Sequence, residues 1–298
     1  MDSLPIGPNA IFVLAQMAFW LAFAIWLGWF RPRRPLPAME IFTLKGDPAQ
    51  APFPEDLQLH WLGHSSFRLE WGGRVILLDP VLSDHVSVAP RRVGRPGPGM
   101  LEGVDAILLT HAHMDHFNNE TLARVNPCQL HLPAKAERFL NGRNRARHQW
   151  HTFEMGDSIR IGEVDVTVVR ARHGGWRYPW QQGFFACGFI LRRDDFTLYY
   201  AGDSAWGEHF EAIGRDFQPD LALLPIGGYS PRWFLKSRHI NPPEAVEAVR
   251  RLQARGVIPC HYGTYRVSLE GMEAPVMWFR REVLSLQTAS RRSPDPRN

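Results

Sequence analysis

The chain is poor in cysteine. Cys128, Cys187 and Cys260 make an odd set of 3, and none are spaced as CxxC. That argues against a disulfide framework and for a reducing compartment. Lysine is almost missing: Lys45, Lys135 and Lys236 are the whole set, so nearly all of the 34 Lys+Arg are arginine. The bias hints at a GC-rich bacterial genome. Against 30 Asp+Glu the net charge is only +4. A nucleic-acid binder concentrates its charge on one face or run, so no nucleic-acid partner is expected. No repeat of fixed period is present. With 45% hydrophobic and 21% charged residues among 298, the chain is neither disordered, nor a coiled coil, nor collagen-like. The length suits one large domain with an appendage.

Charge is wholly lacking from Ala10 to Phe30, where Gln16 is the one strongly polar side chain. At ~1.5 Å per residue such a helix matches the ~30 Å hydrocarbon core. Trp26 and Trp29 stand near its carboxyl end, where indoles favour the interface. A cleaved signal peptide needs a basic start and small residues at the cut; here Asp2 precedes the run and bulky residues end it. Arg31, Arg33 and Arg34 follow at once, which by the positive-inside rule keeps the carboxyl side in the cytoplasm. The expectation is a single-pass anchor in a bacterial inner membrane, with the catalytic domain on the cytoplasmic side. Residues 1–31 read as the anchor, 32–54 as a proline-rich linker, 55–288 as the domain and 289–298 as a solvated tail. Further basic residues stand at Arg91, Arg92 and Arg95.

Within the domain, Leu57–Leu62, Ser66–Trp71 and Arg74–Leu78 read as a β-meander punctuated by glycines. Val81–Met100 reads as a loop, Val104–Thr110 as a buried strand, and Asn118–Val125 as a helix with Asn118 or Asn119 as N-cap. Strands are expected at Ser158–Ile161, Val164–Ala171, Phe184–Leu191, Thr197–Ala201, Asp220–Pro225 and Val257–Cys260. Helices are expected at Glu208–Asp216, Pro242–Ala254 and Val276–Leu286, the second capped by Asn241 with proline in its first turn. Two β-rich halves, each closed by helices, predict a layered α/β fold.

The most informative stretch is Thr110-His111-Ala112-His113-Met114-Asp115-His116, directly after an expected strand. His111 and His113 project the same way from extended backbone, and Asp115 and His116 turn toward a neighbouring position. Imidazole and carboxylate together suit zinc and other borderline divalent ions. HxHxDH is far more specific than a lone histidine pair. His173, Asp203 and His261 each stand just past another apolar strand, the usual place for a site in a layered α/β domain.

The order HxHxDH, His, Asp, His resembles the metallo-β-lactamase superfamily over roughly Leu57–His261. That resemblance implies a four-layer αβ/βα sandwich and a binuclear metal site, with two Zn2+ or other divalent transition metals. It implies that His111, His113 and His173 hold one metal, Asp115, His116 and His261 the other, and that Asp203 bridges them. An aspartate at the bridging place points to phosphodiesterase or lactonase chemistry rather than to the classical β-lactamases. Trp61-Leu62-Gly63-His64-Ser65-Ser66 with Leu78-Asp79-Pro80 is similar to the branch holding ascorbate-6-phosphate lactonase and N-acylphosphatidylethanolamine-hydrolysing phospholipase D. Pro225–Ala245, Cys260–Tyr265 and Leu269–Pro275 look most like the phospholipase. The segment Gly174–Gln182 departs from it.

The expected function is therefore a membrane-anchored binuclear-zinc hydrolase, of phospholipase D type, acting on membrane phospholipids resembling N-acylphosphatidylethanolamine. The expected chemistry is attack of a metal-bridging hydroxide on phosphorus, with Asp115 orienting it. The competing expectation is a lactonase or phosphodiesterase of a small soluble phosphorylated substrate. His239 either contacts phosphate or protonates the leaving group, or is a surface histidine. His64 is either at the site's edge or a buried hydrogen-bonding histidine. Asp79 is a partner of a ligand histidine or a turn former, and Cys260 a packed thiol. Trp176, Tyr178, Pro179 and Trp180 are core aromatics or an apolar lip, which Tyr229, Trp233 and Phe234 would extend toward substrate. His60, His85, His131, His148, His151 and His209 lack a motif and are expected to pack or face water.

Overall fold

The computed structural model describes residues 8–44, 53–178 and 180–292. Pro179, residues 45–52 of the expected linker and most of the expected tail lie outside the described residues. Helix α1 (Pro8–Leu27) comes first. The domain opens with the meander β1 (Gln58–Gly63), β2 (Ser66–Trp71) and β3 (Arg74–Leu78). Gly72 and Gly73, with φ of +58° and +68°, close the β2–β3 turn, whose backbone needs positive φ at both central residues. A small hairpin, β4 (His85–Val86) and β5 (Ala89–Pro90), sits inside the long loop that follows.

Strand β6 (Ala106–Leu108) pairs parallel to β3, and helix α2 (Asn119–Leu122) leads on to β7 (Gln129–Pro133). Helix α3 (Gly142–Arg147) precedes β8 (Gln149–Phe153), which completes a first sheet in the order β1-β2-β3-β6-β7-β8. The second half runs β9 (Ser158–Ile161), β10 (Val164–Gly174), β11 (Phe185–Arg193), β12 (Phe196–Tyr200), α4 (His209–Phe217) and β13 (Leu221–Pro225). It ends with α5 (Arg232–Leu235), α6 (Pro242–Leu252), β14 (Gly256–Cys260) and α7 (Ala274–Arg292). Its sheet has the order β14-β13-β12-β11-β10-β9.

Side-chain alternation assigns the layers. Ile76 and Leu78 of β3, and Ala106 and Leu108 of β6, join the core shared with the second sheet, while Leu77 and Ile107 join a separate cluster with Phe117, Leu122 and Leu140. Phe210 of α4, Ala245 and Val249 of α6 and Phe279 of α7 cover the outside of the second sheet. This is the expected αβ/βα arrangement. Strands buried on both faces, such as Leu221–Pro225 and Gly256–Cys260, read as unbroken apolar runs for that reason. Helix α6 carries a full capping box between Asn241 and Glu244. Strands β7 and β8 escaped the sequence reading because QLHLP and QWHTF carry polar, histidine and proline residues in place of an apolar run.

Two features bear on the amino-terminal expectations. Among the described residues no helix is long and apolar enough to cross a membrane. Yet α1 is apolar and largely uncovered: Phe12 is 65% exposed, Trp20 58% and Ile25 51%, while Leu27 is buried. Residues 31–44 lie pinned on the domain as a strap. Arg34 bridges to Val93 and Phe42 to Val257, and the Phe42 ring packs edge-on against Phe279 at 5.3 Å.

Candidate metal centre

The β6 strand ends at Leu108, and the chain then turns through Thr110–Phe117 over the carboxyl ends of both sheets. Asp79, just past β3, organises this loop. Its carboxylate accepts from Thr110 N (2.7 Å), Thr110 Oγ1 (2.6 Å), His116 Nδ1 (2.7 Å) and Tyr200 Oη (2.8 Å). The Thr110 hydroxyl has one proton and donates it to Asp79, so it accepts from His111 Nδ1 at 2.9 Å. The hydrogen-bond network thereby places the Nδ1 protons of His111 and His116 and turns both Nε2 atoms inward. His173 is set the same way, its Nδ1–H donating to the Arg238 carbonyl at 2.8 Å.

The inward nitrogens then crowd together. His111 Nε2 stands 2.9 Å from His113 Nδ1, which stands 3.1 Å from His173 Nε2. Lone pairs this close repel unless a proton or cation lies among them. One oxygen of Asp203, Oδ2, is 3.2 Å from His116 Nε2 and from His261 Nε2, 3.8 Å from His111 Nε2 and 3.9 Å from His173 Nε2. Asp115 Oδ2 lies 3.4 Å from His261 Nε2 and 4.0 Å from His116 Nε2. Thus all of His111, His113, Asp115, His116, His173, Asp203 and His261 converge. They fall into two adjoining groups, His111, His113, His173 and Asp203 in one and Asp115, His116 and His261 with His64 in the other, and Asp203 also groups with His239 and His261. His116 Nε2, Asp203 Oδ1 and both ring nitrogens of His261 are buried without a hydrogen-bond partner. A buried polar atom is costly to leave so. This donor set fits divalent cations.

The electrostatics divide the cluster. Burial, and then the neighbouring His173 and His261 respectively, push His113 down to about 3 and His64 to about 4. These rings are neutral imidazoles with lone pairs to give. His261 moves the other way: burial lowers it, but Asp203 and then Asp115 lift it to about 9. His116 is likewise held well above its ordinary value, Asp203 and Asp79 outweighing burial. Burial raises Asp203, yet His116 and His261 hold its carboxyl well below the usual range. Protons on His116 and His261 answer the two carboxylates here, and a bound cation must displace them.

Glycine matters at one point. Gly228, with φ +77°, lies where a Cβ would come 3.0 Å from His239 Nδ1 and 3.1 Å from His261 Cε1. His239 itself is buried, with Nδ1 3.8 Å from Asp203 Oδ2 and no hydrogen-bond partner for that nitrogen. His64 is fully buried, Nε2 3.0 Å from Asp115 Oδ2, so it is a buried hydrogen-bonding histidine that stands with the second ligand group. Tyr229 and Trp233 make other aromatic contacts. The Tyr229 ring packs edge-on against Trp278, and Trp233 is 86% exposed against Phe234. Trp176 does reach it, edge-on to His113 at 5.1 Å, while Trp180 stacks on Tyr178 and stands 77% exposed.

Three further residues, to which the sequence assigned no role at the site, complete the support. Arg177 donates from Nε to Ala112 O (2.9 Å) and from Nη2 to Phe117 O (2.6 Å), bracketing the ligand loop. Its guanidinium lies 4.9 Å from both the Phe117 and Phe139 ring centroids. Buried Arg91 donates to Leu62 O (2.7 Å) and Val81 O (3.2 Å), behind the Gly63–His64 turn. Glu270 accepts from the backbone of Gly228 (2.6 Å) and Ser230 (3.0 Å), fixing the loop that faces His239. Their partners are main-chain atoms distant in sequence, so no motif announces them.

An αβ/βα sandwich with these residues at the strand ends is the architecture of a metal-dependent hydrolase of the metallo-β-lactamase fold. The family model described as a Beta-lactamase superfamily domain matches residues 74–262, and the chain belongs to that superfamily. It is 30% identical over 226 residues to N-acyl-phosphatidylethanolamine-hydrolyzing phospholipase D 1 of Caenorhabditis elegans, covering 69% of this chain and 63% of that enzyme. It is 32% identical over 219 residues to a UPF0173 metal-dependent hydrolase of Caldivirga maquilingensis, covering 70% and 82%. Among solved structures, a metallo hydrolase of the archaeon Ignicoccus hospitalis superposes with a TM-score of 0.58 at 21% identity, covering 78% and 92%, a likeness of fold.

Proposed function

We propose that the protein is a bilayer-held phosphodiesterase of phospholipase D type, loaded with two zinc ions. Its substrate class is N-acylphosphatidylethanolamine-like lipid, hydrolysed to a phosphatidic acid and an N-acylethanolamine. The observation that carries this reading is the seat of α1. Phe23 and Leu27 join a small apolar cluster with Val81, Val86, Ala89, Tyr265 and Met114, and Met114 lies between ligand-type residues His113 and Asp115. The exposed apolar helix therefore leaves the domain beside the metal loop. A helix apolar all round is stable when buried in protein or lipid, and α1 is read here as the membrane anchor, with the domain on the cytoplasmic side. The activity of the nematode relative supports the bond and lipid class.

His111, His113 and His173 would hold one zinc, and Asp115, His116 and His261 the other, with Asp203 between them. Bound there, the pair would lower the pKa of a water and neutralise the phosphodiester's charge. The chain's own residues do the rest. Asp115, held by His64, orients the attacking water. His239, which burial keeps neutral and whose Nδ1 has no partner, meets a phosphate oxygen. Trp176 walls the site beside His113.

The test uses full-length protein in mild detergent with zinc and vesicles carrying N-acylphosphatidylethanolamine, both products followed by mass spectrometry, and His111→Ala as control. Both products from the unmutated protein alone are expected. Turnover of soluble phosphate esters or lactones with none on vesicles would move the assignment to a small soluble substrate, the reading that the metal-dependent hydrolase relatives also allow.

A further inference from the structure

Two arginine clusters far apart in the sequence meet at the base of α1. Arg34 N donates to Arg92 O at 2.9 Å, and Gly94 N to Arg34 O at 2.7 Å, so the strap after α1 is stitched to the loop after β5. Arg92 N in turn donates to Thr264 O at 2.8 Å, which draws the segment carrying Arg266 to the same place. Arg31, Arg33, Arg34, Arg92, Arg95 and Arg266 thus gather around the end of the helix, where the acidic partners are Asp84 and Glu273. Asp84 takes Arg33 and, at 2.8 Å, Arg95; Glu273 takes Arg34. Arg92 turns to carbonyls, including that of Arg31 at 2.9 Å, and Arg266 lies 4.7 Å from the Trp26 ring centroid.

This is an unbalanced concentration of positive charge. Burial lowers the Arg92 guanidinium from its ordinary value, and repulsion from Arg31, Arg34 and Arg266 lowers it further. Such a cluster is relieved by anions from outside the chain. Its setting specifies which. It stands at the end of an exposed apolar helix, beside Trp26 and Trp29, 40% and 47% exposed, and indoles favour the head-group region. Backbone pairing holds it to the catalytic domain, so whatever the arginines bind also sets how the domain sits.

We propose that this arginine collar binds the anionic phospholipid head groups of the leaflet that α1 enters. The proposal rests on the bilayer reading of α1 above. A basic residue near an anionic surface contributes about 1 kcal/mol. The collar therefore presses the metal loop toward the membrane plane and selects anionic membranes independently of the substrate.

The experiment compares full-length protein binding to phosphatidylcholine vesicles with and without phosphatidylglycerol, at low and high salt, by flotation. Tighter binding with phosphatidylglycerol, lost at high salt, is expected. Arg31→Gln with Arg266→Gln should reduce that preference by roughly tenfold or more, leaving phosphatidylcholine binding and zinc content unchanged. Arg31→Gln alone, at an exposed side chain, serves if the pair fails to fold and should lose several-fold. Equal binding to both vesicles would overturn the collar and leave α1 as an anchor. Binding to neither would overturn the bilayer reading and the collar with it. A variant pair that keeps the full preference would overturn these arginines as its source.

Discussion

Helix α1 and the strand pair β12–β13 are both apolar, yet the structure treats them in opposite ways. Leu198, Tyr200, Leu221 and Leu223 are 0 or 1% exposed, while Phe12, Met17 and Phe19 of α1 are 63–65% exposed. The strands find their cover within the chain, from the first sheet on one side and α4, α6 and α7 on the other. The helix does not. At roughly 1.5–3 kcal/mol for each large apolar side chain that leaves water, the second situation calls for a partner outside the chain. Apolar composition by itself says that burial is needed; packing says where it comes from.

The predictions test that contrast, beginning where the domain is self-sufficient. Asp203→Ala removes the one oxygen within reach of five ring nitrogens and should cost turnover on the order of 10^3-fold or more. Metal analysis of the purified variant would show sub-stoichiometric metal, and full metal content would contradict the central place given to this carboxylate. Removing residues 1–31 should act in reverse: vesicle binding is lost, while metal content and hydrolysis of a soluble phosphodiester such as bis(p-nitrophenyl) phosphate persist. Collapse of the domain on truncation would show that α1 belongs to the core after all.

Asp79→Asn should weaken metal affinity by about 10–100-fold through His116, with little change in the fold. Titration with cobalt, read by its visible spectrum, checks this without using activity. The metal-free protein should be most stable near pH 6.5. His261, with a folded value of about 9 against 6.5, contributes stability that is complete below 6.5 and lost as pH rises through 9. His113 and His64, folded values about 3 and about 4, contribute stability that is complete above 6.5 and lost as pH falls toward those values. Thermal unfolding from pH 4 to 9 would show the peak, and bound zinc should flatten its alkaline side. Arg177→Met should have the smallest effect, a several-fold loss of metal affinity as the ligand loop loosens. An unchanged affinity would leave Arg177 as packing alone.

Much of this was legible in the residues. The meander, the long strands of the second sheet and α6 follow from alternation, glycine pairs and the Asn241 cap, because those signals are local. HxHxDH announces chemistry because few other reasons put four such groups in one short turn. The neutral or charged state of each histidine was not legible. It depends on Asp79, Thr110 and the Arg238 carbonyl, which reach the rings from three separate segments. Nor was the burial of His64, since a turn between strands can lie on either side of a site.

By itself, then, the sequence determined the layered α/β class, the metal-binding residue types and the apolar segment that needs cover, all of which reside in spacing and composition. Only the tertiary structure decided which nitrogen of each imidazole faces inward, that Arg177, Arg91 and Glu270 brace the site, and that two arginine clusters 60 residues apart form one collar. Those outcomes depend on distances between segments remote along the chain, and distance in space is what folding supplies.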